Sequence, residues 1–189
     1  MTDETRPIAT PSQTVGPFFH FGIAKDDSLG QIAGEATPGE RIQLRIRVLD
    51  GDGAPVPDAL LELYQADAGG RYGSATAPAA AGFTGFGRLA THADGTCLFE
   101  TVRPGPVQTA HGTQARHILV CLLARGLLRQ VYTRIYFAGD PGHDVDPILG
   151  LVPAGRRQTL HASRAGEDAS LWEFTIRMQG DAETVFFDV

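Results

Sequence analysis

The residues of this chain that could bind a metal ion or act as nucleophiles are few and widely spaced. The sequence contains six histidines and two cysteines. Five of the histidines show no spacing typical of metal ligands, and we expect them at the surface or in loops: His20, His92, His111, His143 and His161. Cys97 and Cys121 lie inside apolar runs, where a thiol usually behaves as a small buried hydrophobe, so we expect free thiols rather than a disulfide.

A second unusual feature is the stretch TPSQTVGPFF, residues 10–19, near the start of the chain. It combines two prolines, a glycine and two phenylalanines, a composition typical of neither a helix nor a regular strand. Because the stretch cannot bury its own apolar side chains, we expect another surface to cover them. We therefore interpret residues 10–24 as an extended N-terminal arm.

The elements that would position these residues are predicted to be strands. Between Arg41 and Val48, apolar residues alternate with arginine and glutamine, which predicts a half-buried antiparallel strand. The turn sequence DGDG at 50–53 is followed by a second apolar pattern through Leu61 and Leu63. Further strand-like runs occur at 96–102, 116–125, 130–137, 171–178 and 184–189.

Short strand-like runs separated by residues rich in Gly, Pro and Asp favour an all-β sandwich or barrel. Residues 156–164 alone have a weakly helical pattern. The connecting segments 65–93 and 138–168 are long, and loops of that length in a compact domain are usually functional or contact a partner.

Length and charge exclude several classes of protein. A chain of 189 residues is typical of one domain, which we assign to residues 10–189, with residues 1–9 expected to be disordered. The net charge is −6 and the charges are interspersed, which argues against a nucleic-acid partner. Neither a membrane span nor an apolar signal-peptide core is visible, so we expect a cytoplasmic protein.

Four motifs in one order carry a resemblance to a known family. They are TPSQTVGPFFHFG, DGDGAPVPDALLELYQADAGGRYG, GFGRLATHADGTCLFETVRPGP and RHILVCLLARGLLRQVYTRIYFAGD. Together they resemble the intradiol ring-cleaving dioxygenases, from about Thr10 to Phe187. The resemblance implies a two-sheet β-sandwich with long active-site loops, which agrees with the strand pattern.

In the catalytic chains of this family, Fe(3+) is held by two tyrosines and by two histidines in a His-x-His pair. Phenolate oxygens are hard anionic donors that stabilise ferric iron. Tyr72 and His117 match the first tyrosine and the first histidine, but Val107 and Leu119 stand at the other two positions. Gln114 stands where catalytic chains carry an arginine. We therefore expect this chain to bind no catalytic iron and to contain no catalytic residue.

The resemblance instead implies a heteromeric enzyme in which an iron-free alpha chain pairs with an iron-bearing beta subunit of the same fold, in an assembly of alpha–beta pairs. Such enzymes use O2 to cleave the aromatic acid protocatechuate to 3-carboxy-cis,cis-muconate, with the active site at the interface of the two chains. The substrate-binding positions that carry over to the arm are Thr14, Gly16, Pro17 and Phe18.

The fifth substrate-binding position that carries over is Arg134, in the run YTRIYF. A cation in an otherwise apolar cavity would favour an anionic aromatic acid over an uncharged catechol. Whether Arg134 contacts the substrate or orients side chains of the beta subunit stays open at this point.

Structural alternatives exist for each of these residues. Tyr72 and His117 can be ordinary hydrogen-bonded packing residues, Arg134 can be an ion-pair partner, and the arm can dock without contacting substrate. For the chain as a whole, the alternatives are a metal-free binding or scaffolding β-sandwich and a self-sufficient dioxygenase, which Val107 and Leu119 argue against.

Overall fold

The computed structural model describes residues 9–16, 19–24, 26–73, 80–166 and 168–188. The terminus expected to be disordered therefore lies outside the described residues except for Ala9, as do Pro17 and Phe18 of the arm. Within the described part the fold consists mainly of strands, which confirms the all-β prediction. The strands are β1 (Arg41–Leu49), β2 (Leu60–Gln65), β3 (Phe86–Ala90), β4 (Thr96–Val102), β5 (Val107–Thr109), β6 (Gly112–Gln114), β7 (His117–Leu123), β8 (Val131–Phe137), β9 (His161–Arg164) and β10 (Leu171–Arg177).

Eight of these strands form one continuous sheet in the order β3-β2-β7-β8-β9-β10-β1-β4, and β5 and β6 form a separate hairpin. The short strand β9 joins the two halves, because it pairs in parallel with β8 and antiparallel with β10. The predicted division into two separate sheets is not confirmed by this hydrogen bonding. The strand β1 lies between β10, to which it is parallel, and β4, to which it is antiparallel.

One hydrophobic core is shared by both halves of the sheet. In β1, the predicted alternation buries Ile42, Leu44, Ile46 and Val48 almost completely. They belong to the same cluster of buried side chains as Leu61 and Leu63 of β2 and Ile118, Val120 and Leu122 of β7. Because both halves contribute to this cluster, the opposite face of β2, β7 and β8 is left for other contacts.

That opposite face is covered at one end only. Pro141–Val145, Leu149–Leu151 and Ala154–Leu160 form 3-10 helices in the predicted long loop. They bring Leu149, Val152 and Leu160 onto Tyr136 of β8 in a second buried cluster. The remainder of the face stays partly open and forms the site described below.

Several local predictions from the sequence were wrong in whole or in part. The weakly helical segment 156–164 is helical over its first half, in the 3-10 helix Ala154–Leu160, and the rest of it is the strand β9. The run 184–189 forms no strand in its described part, residues 184–188, where Phe187 makes an isolated bridge to Tyr132. The predicted loop 65–93 contains β3, and the arm contains a five-residue helix, α1 (Phe19–Ile23).

Both cysteines are free, as predicted. Cys97 is buried in the core, and burial raises the pKa of its thiol to about 12. Among the described residues, no helix has the length and apolarity needed to cross a membrane.

Candidate functional site

Two loops cross to bring the four predicted ligand positions to one side of the sheet. In the loop after β2, the buried Asp67 carboxylate accepts hydrogen bonds from the backbone N–H groups of Gly69 and Arg71, at 2.8 and 3.0 Å. Gly70 has φ +79° and lies directly against the carbonyl oxygen of Pro106, where a Cβ atom would collide with it. This close approach fixes Tyr72 beside the loop that leads into β5.

Tyr72 and His117 are hydrogen bonded to each other. The Nδ1 of His117 lies 2.7 Å from the carbonyl oxygen of Ala115, so this nitrogen must donate. The Nε2 of the neutral ring is then an acceptor, and the Tyr72 hydroxyl, 3.2 Å away, donates to it. The Tyr72 ring also stacks on Tyr64 at a centroid distance of 5.0 Å. The interpretation of Tyr72 and His117 as hydrogen-bonded packing residues agrees with this geometry.

Burial favours the uncharged forms of both side chains. It raises the pKa of Tyr72, although the positive charge of Arg134 acts in the opposite direction. Burial likewise lowers the pKa of His117, against the hydrogen bond to Ala115, which acts to raise it. The pair is thus a neutral phenol bonded to a neutral imidazole.

The remaining two ligand positions offer no donor atoms. Val107 is 8% exposed at the start of β5, and Leu119 is partly buried in β7. No group of three or more His, Cys, Asp or Glu side chains suited to a metal ion occurs among the residues that the structure describes. Two neutral side chains that already bond to each other do not fit Fe(3+), which needs anionic donors.

Arg134 lies next to these positions, because its Cα is paired with that of Leu119 between β8 and β7. Its Nη1 donates a hydrogen bond of 3.0 Å to the Oε1 of Gln114. No carboxylate of the described residues lies within 4.0 Å of the Arg134 guanidinium. The ion-pair alternative for Arg134 is therefore not supported within this part of the chain.

Arg134 lines an open groove of about 600 Å³ on the outer face of β2, β7 and β8. The groove is mainly apolar, and its walls include Tyr64, Phe86, Leu119, Tyr132, Ile148 and Leu151. Two carboxylates also line it: Glu62, which is paired with Arg88 at 2.6 Å, and Asp188. The groove therefore presents apolar and aromatic surface together with a guanidinium that has no acidic partner.

The buried carboxylate of Asp146 holds in place the wall of the groove that contains Ile148 and Leu151. This residue was not identified from the sequence. It accepts hydrogen bonds from the backbone N–H groups of Ala115, Ile148 and Leu149, at 2.7 to 2.8 Å. These bonds tie the start of β7 to the 3-10 helices. The local sequence Asp-Pro-Ile at 146–148, in which a carboxylate precedes a turn, is the signal that could have indicated it.

The described part of the N-terminal arm does not line this groove and instead contacts the turn between β7 and β8. The Thr14 hydroxyl accepts a 2.7 Å hydrogen bond from the N–H of Gly126, in the turn between β7 and β8. Gln13 and Val15 border a small recess of about 70 Å³ against the same turn. The recesses lined by the arm and by Arg134 are separate in this chain. A Cβ atom at Gly16 would meet nothing within 4 Å.

Comparisons with known proteins agree with the resemblance seen in the motifs. A family model described as dioxygenase matches residues 14–180. The protocatechuate 3,4-dioxygenase alpha chain of Burkholderia cepacia is 42% identical over 194 residues, spanning 95% of this chain and 97% of that one. The beta chain of the same enzyme from that organism is 37% identical over 155 residues, spanning 75% of this chain and 66% of that one.

A solved structure, the dioxygenase domain of a dioxygenase–carbohydrate-binding fusion from Streptomyces, superposes with a TM-score of 0.62 at 26% identity. It spans 93% of this chain and 99% of that chain. The family match over most of the chain, the full-length relative and the shared fold lead to one conclusion. The chain belongs to the intradiol dioxygenase family.

Proposed function

We propose that this chain is the alpha subunit of a protocatechuate 3,4-dioxygenase, which cleaves protocatechuate with O2 between its hydroxyl-bearing carbons. The observation that carries the proposal is the 42% identity to a protein named as an alpha chain, over 95% of this chain and 97% of that relative. A match that spans nearly all of both chains argues for the same subunit role and not merely for a shared domain. The subunit would consist of one domain, residues 10–189, in the cytoplasm.

The ferric iron would belong to the beta subunit. In this chain Val107 and Leu119 provide no ligand atoms, and Tyr72 and His117 satisfy each other at 3.2 Å. The related beta chain is similar enough to this chain, at 37% identity, to be expected to share its fold. The two chains would then pair as related partners, with one supplying the metal and the other supplying walls of the cavity.

The groove and the N-terminal arm are the parts of this chain suited to supplying walls of the cavity. The groove lined by Tyr64, Leu151 and Arg134 exposes apolar surface, with Leu151 78% and Tyr64 41% exposed. Exposed apolar surface of this extent commonly marks a contact with another protein. We assign the groove to the contact with the beta subunit, and we assign Arg134 to the substrate cavity formed there. Because the recess beside Thr14 is separate from the groove in this chain, Thr14, Gly16, Pro17 and Phe18 would reach a substrate cavity only through assembly of alpha–beta pairs, and we assign them to the cavity on that basis.

Co-expression of this chain with its beta subunit tests the proposal directly. We expect one iron per alpha–beta pair, a visible tyrosinate-to-iron absorption band and protocatechuate-dependent oxygen uptake in the pair. In this proposal the beta subunit binds all of the iron, so two irons per alpha–beta pair would contradict it. Failure of the chains to associate would favour the scaffolding alternative, which the alpha-chain relative does not favour.

Arg134→Ala in the assembled enzyme tests the substrate-binding role. We expect KM for protocatechuate to rise about 10-fold or more, because a hydrogen bond to a charged group contributes about 1.5–3 kcal/mol. Arg45→Ala is the matched control, since Arg45 is paired at 2.8 Å with Glu173 on the other half of the sheet. An unchanged KM in Arg134→Ala would exclude the role.

A further inference from the structure

We propose that Gln114 positions the guanidinium of Arg134 and so determines how strongly the enzyme prefers catechols that carry a carboxylate. The inference rests on the proposed function of Arg134 and adds a second residue to it. Gln114 contacts Arg134 and has no assigned contact with substrate, so it acts as a positioning residue.

The hairpin of β5 and β6 is what brings Gln114 to Arg134. Gln114 is the last residue of β6, and its Cα is paired with that of Val107 at the start of β5. Thr109 closes the hairpin, because its hydroxyl donates to the carbonyl oxygen of Gly112 at 2.8 Å. The amide of Gln114 is therefore held on a short, hydrogen-bonded hairpin. Its Oε1 lies 3.0 Å from the Nη1 of Arg134 and so fixes one end of the guanidinium.

The neutrality of this partner matters as much as its position. Other arginines of the chain have carboxylate partners, such as Arg88 with Glu62 at 2.6 Å and Arg116 with Asp140 at 3.0 Å. A carboxylate neutralises the guanidinium that it orients, whereas the amide oxygen of Gln114 orients Arg134 and leaves its positive charge available.

Three titratable side chains close to Arg134 are uncharged. Burial favours the neutral forms of Tyr72 and His117, and the pKa of Tyr136 is raised to about 12 by burial and by Asp146. Arg134 thus faces the groove as an oriented cation with no carboxylate of the described residues within 4.0 Å, while Glu62, paired with Arg88, and Asp188 line the same groove. An arginine at position 114 would place a second positive charge against the Arg134 guanidinium, whereas the Gln114 amide oxygen accepts its hydrogen bond.

The consequence is a specific effect on ligand choice. An aromatic acid gains the attraction of a fixed cation, and its uncharged amide does not. Loss of the Gln114 amide frees the guanidinium to move and weakens binding of the acid alone. A carboxylate at position 114 competes for the same guanidinium and weakens binding of the acid further.

Anaerobic titration of the assembled enzyme tests this without turnover. The visible band is followed while 3,4-dihydroxybenzoate or its uncharged analogue 3,4-dihydroxybenzamide is added. For Gln114→Ala, we expect the Kd of the acid to rise about 3- to 10-fold, the range of one hydrogen bond, with the Kd of the amide unchanged. For Gln114→Glu, we expect a larger rise for the acid, again with little change for the amide.

The matched control is Gln108→Ala on the same hairpin, where the side-chain oxygen accepts a 2.9 Å hydrogen bond from Thr113. This variant should leave both Kd values unchanged. If Gln114→Ala and Gln108→Ala weaken both ligands equally, then Gln114 acts through the stability of the hairpin and the proposal is wrong.

The double variant Gln114→Ala/Arg134→Ala separates this proposal from the proposed function. If Gln114 acts through Arg134, the double variant binds the acid as Arg134→Ala does, with no additional loss. If Arg134→Ala itself leaves acid binding unchanged, the role of Arg134 fails. If Arg134→Ala weakens acid binding and Gln114→Ala does not, the positioning by Gln114 alone fails.

Discussion

Removing the hydroxyl of Tyr72 distinguishes a structural hydrogen bond from a metal ligand. In Tyr72→Phe the ring and its stacking on Tyr64, at 5.0 Å, are kept, and only the 3.2 Å hydrogen bond to the Nε2 of His117 is lost. His117 is 2% exposed and its Nδ1 remains committed to Ala115. Its Nε2 is therefore left as a buried acceptor with no partner.

The size of the effect follows from that geometry. A buried polar group without a partner costs about 1–3 kcal/mol. Tyr72 is only partly buried, so water can partly replace its hydroxyl, and we expect a loss of about 1–2 kcal/mol in the free energy of unfolding. For a domain of this size, each kcal/mol lowers Tm by about 2–4 °C, which gives a decrease of about 2–8 °C.

Thermal unfolding of the assembled enzyme at a fixed protein concentration is the appropriate assay, because subunit association contributes to its stability. Thr96→Val on β4 is the control, since it removes only a hydroxyl that donates an exposed hydrogen bond to Asp94, away from the groove. We expect iron content and kcat to be unchanged in Tyr72→Phe. A loss of iron with Tm unchanged would refute the reasoning, because it would make Tyr72 a ligand.

Three further outcomes are expected. Leu151→Asp at the groove should weaken association with the beta subunit at least 10-fold in sedimentation equilibrium, because burying a leucine contributes about 1.5–3 kcal/mol; the control Leu98→Asp on β4 should not, and equal effects would exclude the groove as the interface. Burial lowers the pKa of both His117 and His161, so the unfolded chain binds protons first and Tm should fall as the pH drops below about 6.5; a Tm that is constant between pH 8 and pH 5 would contradict this. Because the pKa of Cys97 is raised to about 12, its thiol should react with alkylating reagents at pH 8 only on unfolding, and rapid labelling of Cys97 itself in the native protein, distinguished from the half-buried Cys121 by peptide mapping, would refute its burial.

The sequence predicts the strands whose buried residues alternate over many positions. The strand β1 is the clearest case, since four apolar residues on one face are all buried in the core. It does not predict β3, which is five residues long and contains Gly87, where a Cβ atom would collide with Ile32. A glycine that is required by close packing weakens a strand pattern, although here the packing is what stabilises the strand.

The strand predicted at 184–189 was wrong because the fold leaves it no free strand edge to pair with. Its β-branched and aromatic residues are typical of a strand, but the edge of β8 beside it is shared with β9, which pairs with Tyr136 and Phe137. Phe187 reaches the same edge at Tyr132 and makes one bridge only. Whether an apolar run becomes a strand depends on an available edge, and that is a property of the whole fold.

The candidate site shows the same division between local and long-range information. The resemblance of the motifs identified the two ligand positions whose side chains have no donor atom. It did not reveal what the remaining residues do, because Tyr72 and His117 are 45 residues apart and Gln114 and Arg134 are 20 residues apart. Both hydrogen bonds depend on the crossing of loops and on the β5–β6 hairpin, which no local pattern encodes.

The crossing of the two loops explains how this chain differs from an iron-binding one without a change of fold. The close approach of Gly70 to the carbonyl oxygen of Pro106, and the 2.9 Å hydrogen bond from the Gly105 N–H to the Asp67 carbonyl, hold positions 72 and 107 side by side whatever side chains they carry. Val107 and Leu119 stand on this backbone and offer no donor atoms. In place of a ligand set, the frame holds the hydrogen-bonded pair of Tyr72 and His117 with Arg134 beside it, and we propose that this arrangement favours an anionic ligand over a cation.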